Sequence, residues 1–379
     1  MQKIILILCL CLLYSCQSST NQDSLLTISF QEDNNNVSLT ELLGHYKITP
    51  LELNEEFPIG RINKIVKRDG RYYILSEDKR IHVYDEDGHF LFVLNKLGKG
   101  PGEYVYIGDF DVYTVNTSTE IWLCDHSSIK IYSGIDGNYL RSINFNYVVN
   151  KFKKVGNRIL LLTGQSDKVL TLTDTEGKEQ KKFLEKEHYN IIFRSVQFIP
   201  QDNDFIYQIG LSNMCVKYIQ DNESFEEVPL YTGVSNILTL NVCRDLFKKY
   251  ETNYLSRIPD YTVIRGLHFF EDKAVAILNK QGKSFFCKVT PQQSTTIQFA
   301  PAHHVTNDIT HSENMDFLYA LGIADSDDSL LSFIDAYSIF DAKGLKKDSR
   351  TDELLASIGE EDNPLIIEWS DIPIMSIQF

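Results

Sequence analysis

No apolar run in this chain of 379 residues is long enough to cross a membrane as a helix, which takes about 20 residues. The most extended run, Ile4–Leu13, follows a single cation at Lys3 and precedes a polar stretch. A short apolar core behind a cation is typical of a secretory signal peptide. The sequence therefore predicts a signal peptide over residues 1–15 and a folded part without membrane-spanning helices.

Basic charge is also scarce. The chain has 37 Lys and Arg residues against 52 Asp and Glu residues, which gives a net charge of −15. An acidic surface repels nucleic acid and anionic lipid headgroups. We therefore expect no nucleic-acid partner, whereas a neutral glycan or another envelope protein is compatible with this charge.

Cysteine is rare beyond residue 16, and no two of the remaining cysteines form a Cys-x-x-Cys pair. They lie within apolar or aromatic runs: Cys124, Cys215, Cys243 and Cys287. Their dispersal does not match the spacing of zinc ligands. The surroundings favour buried free thiols, and two disulfides in any of three connectivities are the alternative.

Catalytic motifs are missing as well. The sequence contains no Gly-x-Ser-x-Gly elbow, no zincin motif and no phosphate-binding loop. A carboxylate pair for glycoside hydrolysis is not recognisable in a sequence, because its two members meet only in space. The sequence thus excludes three common enzyme signatures and leaves glycan hydrolysis open.

The predicted signal peptide ends in Leu13-Tyr14-Ser15-Cys16, which resembles a bacterial lipobox. This resemblance implies that Cys16 is diacylated on its sulfur and becomes the new N-terminus. More than one lipid chain is needed for stable anchoring, and a lipoprotein cysteine supplies them. Residues 16–44 begin with a polar stretch, so we expect a flexible tether. We thus expect a cell-envelope protein held at the outer membrane by its lipid, and the membrane face stays open.

From Arg61 onward, short apolar runs alternate with turn signals. Several runs are separated by turns that end in glycine: Asp85-Glu-Asp-Gly88, Asp136-Gly137 and Asp174-Thr-Glu-Gly177. Such residues tolerate the positive φ of hairpin turns. A unit of four runs recurs roughly every 40 to 45 residues, which is typical of a β-propeller blade. The sequence predicts an all-β, six-bladed β-propeller of four-stranded antiparallel blades over residues 45–379. A β-sandwich is the alternative, but it would not repeat strand and turn in fixed order.

Three stretches interrupt the β pattern. Two have apolar residues at helical spacing, and the third opens with Thr351, Asp352 and Glu353 and stops at Gly359. They predict a few short inserted helices over residues 240–258, 326–340 and 351–359. We interpret these helices as packed on the propeller rim. Propellers commonly close with strands from both ends of the chain, so we expect residues 48–53 and 365–368 to contribute to one blade.

The loop Leu97-Gly-Lys-Gly-Pro-Gly-Glu-Tyr104, followed by Ile107-Gly-Asp-Phe110, resembles the hallmark of a six-bladed β-propeller family. That family is common among lipoproteins of Gram-negative, gut-type anaerobes and is distantly similar to NHL-repeat propellers. Ile48-Thr-Pro-Leu51 and Glu360-Glu-Asp-Asn-Pro-Leu-Ile-Ile-Glu368 are similar to its opening strand and its acidic close. The resemblance covers about residues 45 to 370 and implies no catalytic residues.

The glycine-rich loop itself is interpreted as a structural connection between blades. It lacks the strand-loop-helix context and the Gly-Lys-Ser/Thr ending of a phosphate-binding loop. Its glycines and proline permit a tight, partly left-handed turn, in which Glu103 accepts backbone hydrogen bonds. The residues of this motif are Gly98, Gly100, Pro101, Gly102 and Glu103.

Aspartates at predicted strand ends are the candidate channel residues: Asp109, Asp111 and Asp125. In the manner of lactonase-type propellers they would hold a metal or act as acid/base groups, and turn hydrogen bonding is the alternative. The closest approach to a histidine cluster fits no usual zinc motif: His303, His304 and His311. We predict no catalytic residue, no metal ligand and no cofactor, with a divalent ion in the channel as the alternative.

These observations favour a lipid-anchored binding or interaction module of the cell envelope, whose ligand the sequence does not identify. One alternative is an enzyme that uses the central channel, either a metal-dependent lactonase or lyase or a glycan-active hydrolase. The other is a structural partner of an outer-membrane complex.

Overall fold

The protein is described from a computed structural model, which covers residues 25–28, 32–33, 36–163, 166–201, 204–270, 273–290, 294–300, 304–311, 316–326, 329–340 and 350–370. Six sheets are arranged around a central channel, so the predicted six-bladed β-propeller is confirmed. The first strand of each blade lies at the channel and the fourth lies at the rim. The predicted signal peptide and Cys16 lie outside the described residues.

Blades 1 to 5 each contain four consecutive antiparallel strands. The strands of blades 1 to 3 are Ile62–Arg68, Arg71–Ser76, Ile81–Asp85 and Phe90–Leu94; Asp109–Val115, Ser118–Asp125, Ser128–Ser133 and Tyr139–Asn144; and Val149–Val155, Arg158–Thr163, Lys168–Asp174 and Glu179–Glu185. The strands of blades 4 and 5 are Ile199–Gln201, Asp204–Gln208, Met214–Ile219 and Ser224–Pro229; and Val263–Phe270, Lys273–Lys280, Lys283–Val289 and Ser294–Ala300.

Blade 6 combines segments from near both ends of the chain. Its strands are Ala324–Ser326, Leu330–Ile334, Leu365–Ser370 and His45–Pro50. The fourth strand pairs antiparallel with the third, with Ile48 opposite Ile367. The first strand leaves its own sheet and pairs in parallel with the first strand of blade 1. The expected contribution of the segments 48–53 and 365–368 to one blade is confirmed, and the structure shows that the two segments pair directly. Residues 51–53 lie just beyond the strand.

The described residues between 25 and 44 are attached to the propeller, which corrects the expected flexible tether for these residues only, since residues 16–24 lie outside the described chain. Three parallel pairings hold this segment, the N-terminal strap: Leu26–Thr27 with Tyr231–Thr232, Glu32–Asp33 with the fourth strand of blade 5, and Val37–Ser38 with Val305–Thr306. A helix, Leu39–Leu43, ends the strap. Its apolar side chains are buried: Leu26, Ile28, Leu39, Leu42 and Leu43. These residues are interspersed with polar ones, so the polar composition of the segment concealed them.

The other helices lie in loops between strands. They are the α-helices Leu240–Tyr250, Asp316–Ala320, Ala336–Phe340 and Arg350–Ala356, and the 3-10 helices Gln220–Asn222, Glu251–Asp260 and Leu321–Ile323. The helices predicted over 240–258 and 351–359 are confirmed, with 3-10 geometry from Glu251 onward. The helix predicted over 326–340 is wrong before Ala336. Leu330–Ile334 is a strand buried on both faces, and such a strand lacks the alternation that separates it from a helix.

The core forms where the apolar faces of neighbouring blades pack against each other. Between blades 1 and 2, for example, Val66 and Tyr73 pack in one cluster with Val112 and Leu123. The four cysteines of the described chain are buried and free, which confirms the prediction. Burial raises the pKa of Cys215 to about 12 and that of Cys287 to about 11, so these thiols remain protonated at neutral pH.

The repeated glycine turns connect blades as well as strands. Gly88 and Gly177 have φ values of +87° and +86° and join the third and fourth strands of their blades. Each turn lies against the fourth strand of the preceding blade. A Cβ atom on Gly88 would lie 2.1 Å from the carbonyl oxygen of Pro50, and one on Gly177 would lie 3.0 Å from Ile143. A side chain at either position would therefore push two blades apart.

Gly88→Ala should lower the free energy of unfolding by about 3 kcal/mol, because left-handed backbone strain and a clash with Pro50 add together. Gly282→Ala is the matched control, since Gly282 has a φ of +76° and no atom within 4 Å of the added Cβ. This control should cost only about 1 kcal/mol. Urea unfolding followed by tryptophan fluorescence measures both, and equal losses would contradict the inter-blade role of the turn.

Candidate functional site

The upper face of the propeller, which we define as the face where the first strands begin, carries the loops between blades. Strands alternate in direction within a blade, so the loops from second to third strands lie on this face too. The longest connections of the described chain, including those with the helices after Thr239 and after Asp335, are loops of these two kinds. The upper face therefore has the most irregular surface of the molecule, which suits a binding site.

The channel is closed below this face by a cluster of buried ion pairs, the channel cluster. Lys153 Nζ on blade 3 lies 2.8 Å from Asp111 on blade 2 and 3.2 Å from Asp325 on blade 6. Arg68 on blade 1 lies 3.1 Å from Asp325. Blades 3 and 6 are opposite each other in a ring of six, so the contact between Lys153 and Asp325 spans the channel. The four side chains are at most 10% exposed, and they plug the channel at this level.

Attraction between opposite charges keeps the side chains of this cluster ionised. Burial raises the pKa of the Asp111 carboxyl, but attraction to Lys153 and Arg68 outweighs burial and lowers the pKa below its usual value. The same balance of burial against these two cations lowers the pKa of Asp325. Burial disfavours the charged form of Lys153, yet Asp111 and Asp325 raise its pKa overall. At neutral pH all these groups are ionised.

Of the sequence-predicted aspartates, Asp109 and Asp111 lie in the channel. Asp109 is above the cluster, 2.8 Å from Lys64 and 3.9 Å from Lys151, and it also accepts a backbone hydrogen bond from Phe110. Both carboxylates therefore face cations. Within the described ranges, no three His, Cys, Asp or Glu side chains come together as metal ligands.

Asp125 and the histidines lie elsewhere. Asp125 ends the second strand of blade 2, 2.9 Å from His126, and faces a turn rather than the channel. His311 lies 3.6 Å from Asp352, whereas His304 takes part in backbone pairing with the N-terminal strap. His303 lies outside the described residues. Among the described residues, the structure does not bring Asp125, His304 and His311 together.

The glycine-rich loop forms a tight turn between blades 1 and 2. Glu103 accepts a hydrogen bond of 2.7 Å from the Gly100 backbone N–H, and Gly102 has a φ of +74°. A Cβ on Gly98 would lie 1.9 Å from the Glu103 carboxylate. The loop follows a strand and leads into another strand, and Gly98, Gly100, Pro101, Gly102 and Glu103 fold against one another.

An open cleft on the upper face lies between blades 6 and 1, and we call it the blade 6–1 cleft. Its volume is about 520 Å³. Two tyrosines with exposed rings line it, Tyr319 at 41% and Tyr337 at 59% exposure. Tyr319 donates a hydrogen bond of 2.7 Å to Ser284 and packs edge-on against Phe299, so its ring is held in place. The charged lining residues are Arg61, Asp335, Glu360 and Asp362.

Sequence reasoning missed this cleft. Its residues come from four separate segments, at 59–62, 319–323, 333–337 and 360–364. The only local signal was the acidic close around Asp362, which resembles a family motif but does not reveal the facing tyrosines.

Among the described residues, no helix has the length and apolar character needed to span a membrane.

The fold and this site define a six-bladed β-propeller with a plugged channel and an open cleft on its upper face. The family model for the domain of unknown function DUF4934 matches residues 25–368, and the chain belongs to this family.

Two of the solved structures that are similar to the chain come from Bacteroides species. A "putative exported protein" from Bacteroides fragilis NCTC 9343 has 17% sequence identity and a TM-score of 0.71, with 91% of this chain and 99% of that chain covered. A member of the DUF4221 family from Bacteroides vulgatus ATCC 8482 has 11% identity and a TM-score of 0.47, with 70% and 88% covered. A search of curated proteins finds no match. At 17% identity the first likeness shows the fold alone.

The burial of the channel cluster predicts strong coupling between its members. Lys153→Met and Asp325→Leu should each lower the free energy of unfolding by about 3 kcal/mol, because each removes one member of the balanced cluster and leaves one buried charge uncompensated. The double variant should lose at least about 1 kcal/mol less than the sum of the two. Urea unfolding of all four proteins measures this cycle.

Arg158→Met is the matched control for that cycle. Arg158 forms an ion pair of 2.7 Å with Glu223, but these side chains are 30% and 45% exposed. Its loss should cost less than about 1 kcal/mol. A Lys153→Met variant as mild as this control would show that the cross-channel pair does not stabilise the ring.

Proposed function

We propose that the protein is a lipid-anchored binding module of the cell envelope, and that the blade 6–1 cleft is its binding site. The observation that carries the proposal is the pair of exposed tyrosine rings, Tyr319 and Tyr337, in a concave site with charged groups around it. Concave sites with a few convergent polar groups are the usual places for small ligands. The exported description of the Bacteroides fragilis relative supports an envelope location by analogy of fold.

The ligand that fits this chemistry best is a glycan. Aromatic rings with an apolar face and a polar edge stack on the C–H faces of sugars, and carboxylates accept hydrogen bonds from sugar hydroxyls. The cleft has three carboxylates, Asp335, Glu360 and Asp362, and one cation, Arg61. This negative balance disfavours acidic sugars and favours neutral or amino sugars.

Tyr337→Ala and Tyr319→Ala should each weaken glycan binding about tenfold, since loss of one stacking contact is worth about 1 kcal/mol or slightly more. A glycan array identifies the best neutral glycan, and isothermal titration measures its affinity for each variant. Tyr106→Ala is the matched control, because Tyr106 has 47% exposure and lies in the loop between blades 1 and 2. Its affinity should equal that of the wild type.

Other results of this experiment would overturn the proposal in defined ways. If no glycan binds, and a pull-down from detergent-solubilised membranes captures an envelope protein that Tyr337→Ala loses, then the cleft is a protein-docking surface. If the array glycan is cleaved, then the protein is a glycan-active hydrolase. If the two tyrosine variants bind as well as Tyr106→Ala, then the ligand binds elsewhere.

The anchor is a separate part of the proposal. Cys16→Ala should move the protein from the membrane fraction to the soluble fraction, because the acyl chains provide the membrane affinity. Ser18→Ala is the control and should leave the partition unchanged. Fractionation followed by immunoblotting measures both, and a Cys16→Ala variant that stays with the membrane would refute lipidation.

A further inference from the structure

Cations outnumber carboxylates in the upper part of the channel, although the whole chain has a net charge of −15. The cations are Lys64, Lys151, Arg194 and Arg265, and Asp109 is the carboxylate that pairs with the two lysines. The channel cluster below is balanced, with Arg68 and Lys153 against Asp111 and Asp325. The excess positive charge therefore lies at the upper end, where solvent enters from the upper face.

The two arginines lie together where the segments entering blades 4, 5 and 6 meet. Arg194 precedes the first strand of blade 4, and Arg265 is the third residue of the first strand of blade 5. Arg194 Nη2 donates a hydrogen bond of 3.1 Å to the Gly210 carbonyl oxygen. Within the described part of the chain, neither guanidinium forms an ion pair with a carboxylate. Both arginines line the same small cavity, and two like charges at one cavity cost free energy unless an anion compensates them.

The surroundings strengthen this interaction. Burial lowers the pKa of Arg194 to about 10, and the charge of Arg265 adds to the effect, so Arg194 is still a cation at neutral pH. Apolar side chains also line the site: Val196, Ile199, Ile264 and Leu267. A low local dielectric makes a charge-assisted hydrogen bond stronger than it would be in water.

The space between the arginines is small and partly walled by backbone. The cavity has a volume of about 10 Å³, which accommodates one oxygen-sized group. Gly266 and Gly322 form part of its wall, and a Cβ on Gly266 would lie 3.5 Å from the Gly322 Cα. An anion that places one oxygen here would leave its remaining atoms in the channel mouth, next to the exposed Arg265 side chain.

We propose that Arg194 and Arg265 form an oxyanion-binding pocket in the channel mouth, which takes the carboxylate or phosphate group of a small ligand. Guanidinium groups bind both oxyanions through paired N–H donors. This Arg pocket is distinct from the blade 6–1 cleft, whose own charge is negative. Experiments can therefore support or refute ligand binding at each of the two sites independently.

Isothermal titration tests the pocket with two probes, inorganic phosphate and glucuronate, at constant ionic strength set by sodium chloride. Glucose is the uncharged reference for glucuronate. At least one oxyanion should bind the wild type, and Arg265→Gln should weaken that binding at least tenfold. Arg257→Gln removes the same charge from an exposed arginine of the 3-10 helix Glu251–Asp260 and should have no effect.

Arg194→Lys provides the second variant. It keeps the half-buried positive charge but loses the planar set of donors, so the binding should weaken while the protein stays folded by circular dichroism. Binding of phosphate alone, or of glucuronate alone, would support the proposal and identify the ligand group. Binding of neither oxyanion, or binding that Arg265→Gln and Arg257→Gln change equally, would overturn it.

Discussion

Closure of the ring between blades 6 and 1 is the constraint on which the rest of the structure depends, because each blade buries its faces only against its neighbours. Three contacts make this closure. The fourth strand of blade 6 comes from His45–Pro50, and its first strand, Ala324–Ser326, pairs with blade 1. Asn363 provides the third contact: it accepts a hydrogen bond of 3.1 Å from the Ile59 N–H and donates one of 2.8 Å to the Glu52 carbonyl oxygen. The acidic segment 360–368 thus has a structural role in closing the ring.

The same closure shapes both parts of the candidate site. Ala324–Ser326 pairs with the first strand of blade 1. From this position Asp325 contacts Lys153 on the opposite side of the channel, and the ion pair closes the channel. The blade 6–1 cleft lies where Ala324–Ser326 leaves its own sheet, between the start of the first strand of blade 1 at Ile62 and the end of the second strand of blade 6 near Phe333. A ligand can therefore approach the channel mouth and the cleft from the upper face, while the plug separates both from the lower face.

The sequence was a good guide where information is local. Glycine turns such as Gly88 and Gly177 marked the ends of strands, and their regular recurrence predicted six blades. It was a poor guide where partners are distant. Lys153 and Asp325 are 172 residues apart, so no local pattern distinguishes Asp325 from a turn aspartate. The rings of Tyr319 and Tyr337 look like core aromatics in the sequence, because exposure is a property of the assembled ring.

The N-terminal strap changes what the proposed anchor would do. With a flexible segment over residues 16–44, a lipid on Cys16 would let the propeller move through a wide volume. The strap instead pairs from Leu26 onward with Tyr231–Thr232, the segment that follows blade 4, so about nine residues separate the lipid from this edge of the propeller, which is at most about 30 Å of extended chain. If Cys16 is lipidated as proposed, this edge stays close to the bilayer. A connection this short would keep the proposed binding sites near the membrane surface, which suits an envelope glycan better than a distant soluble partner.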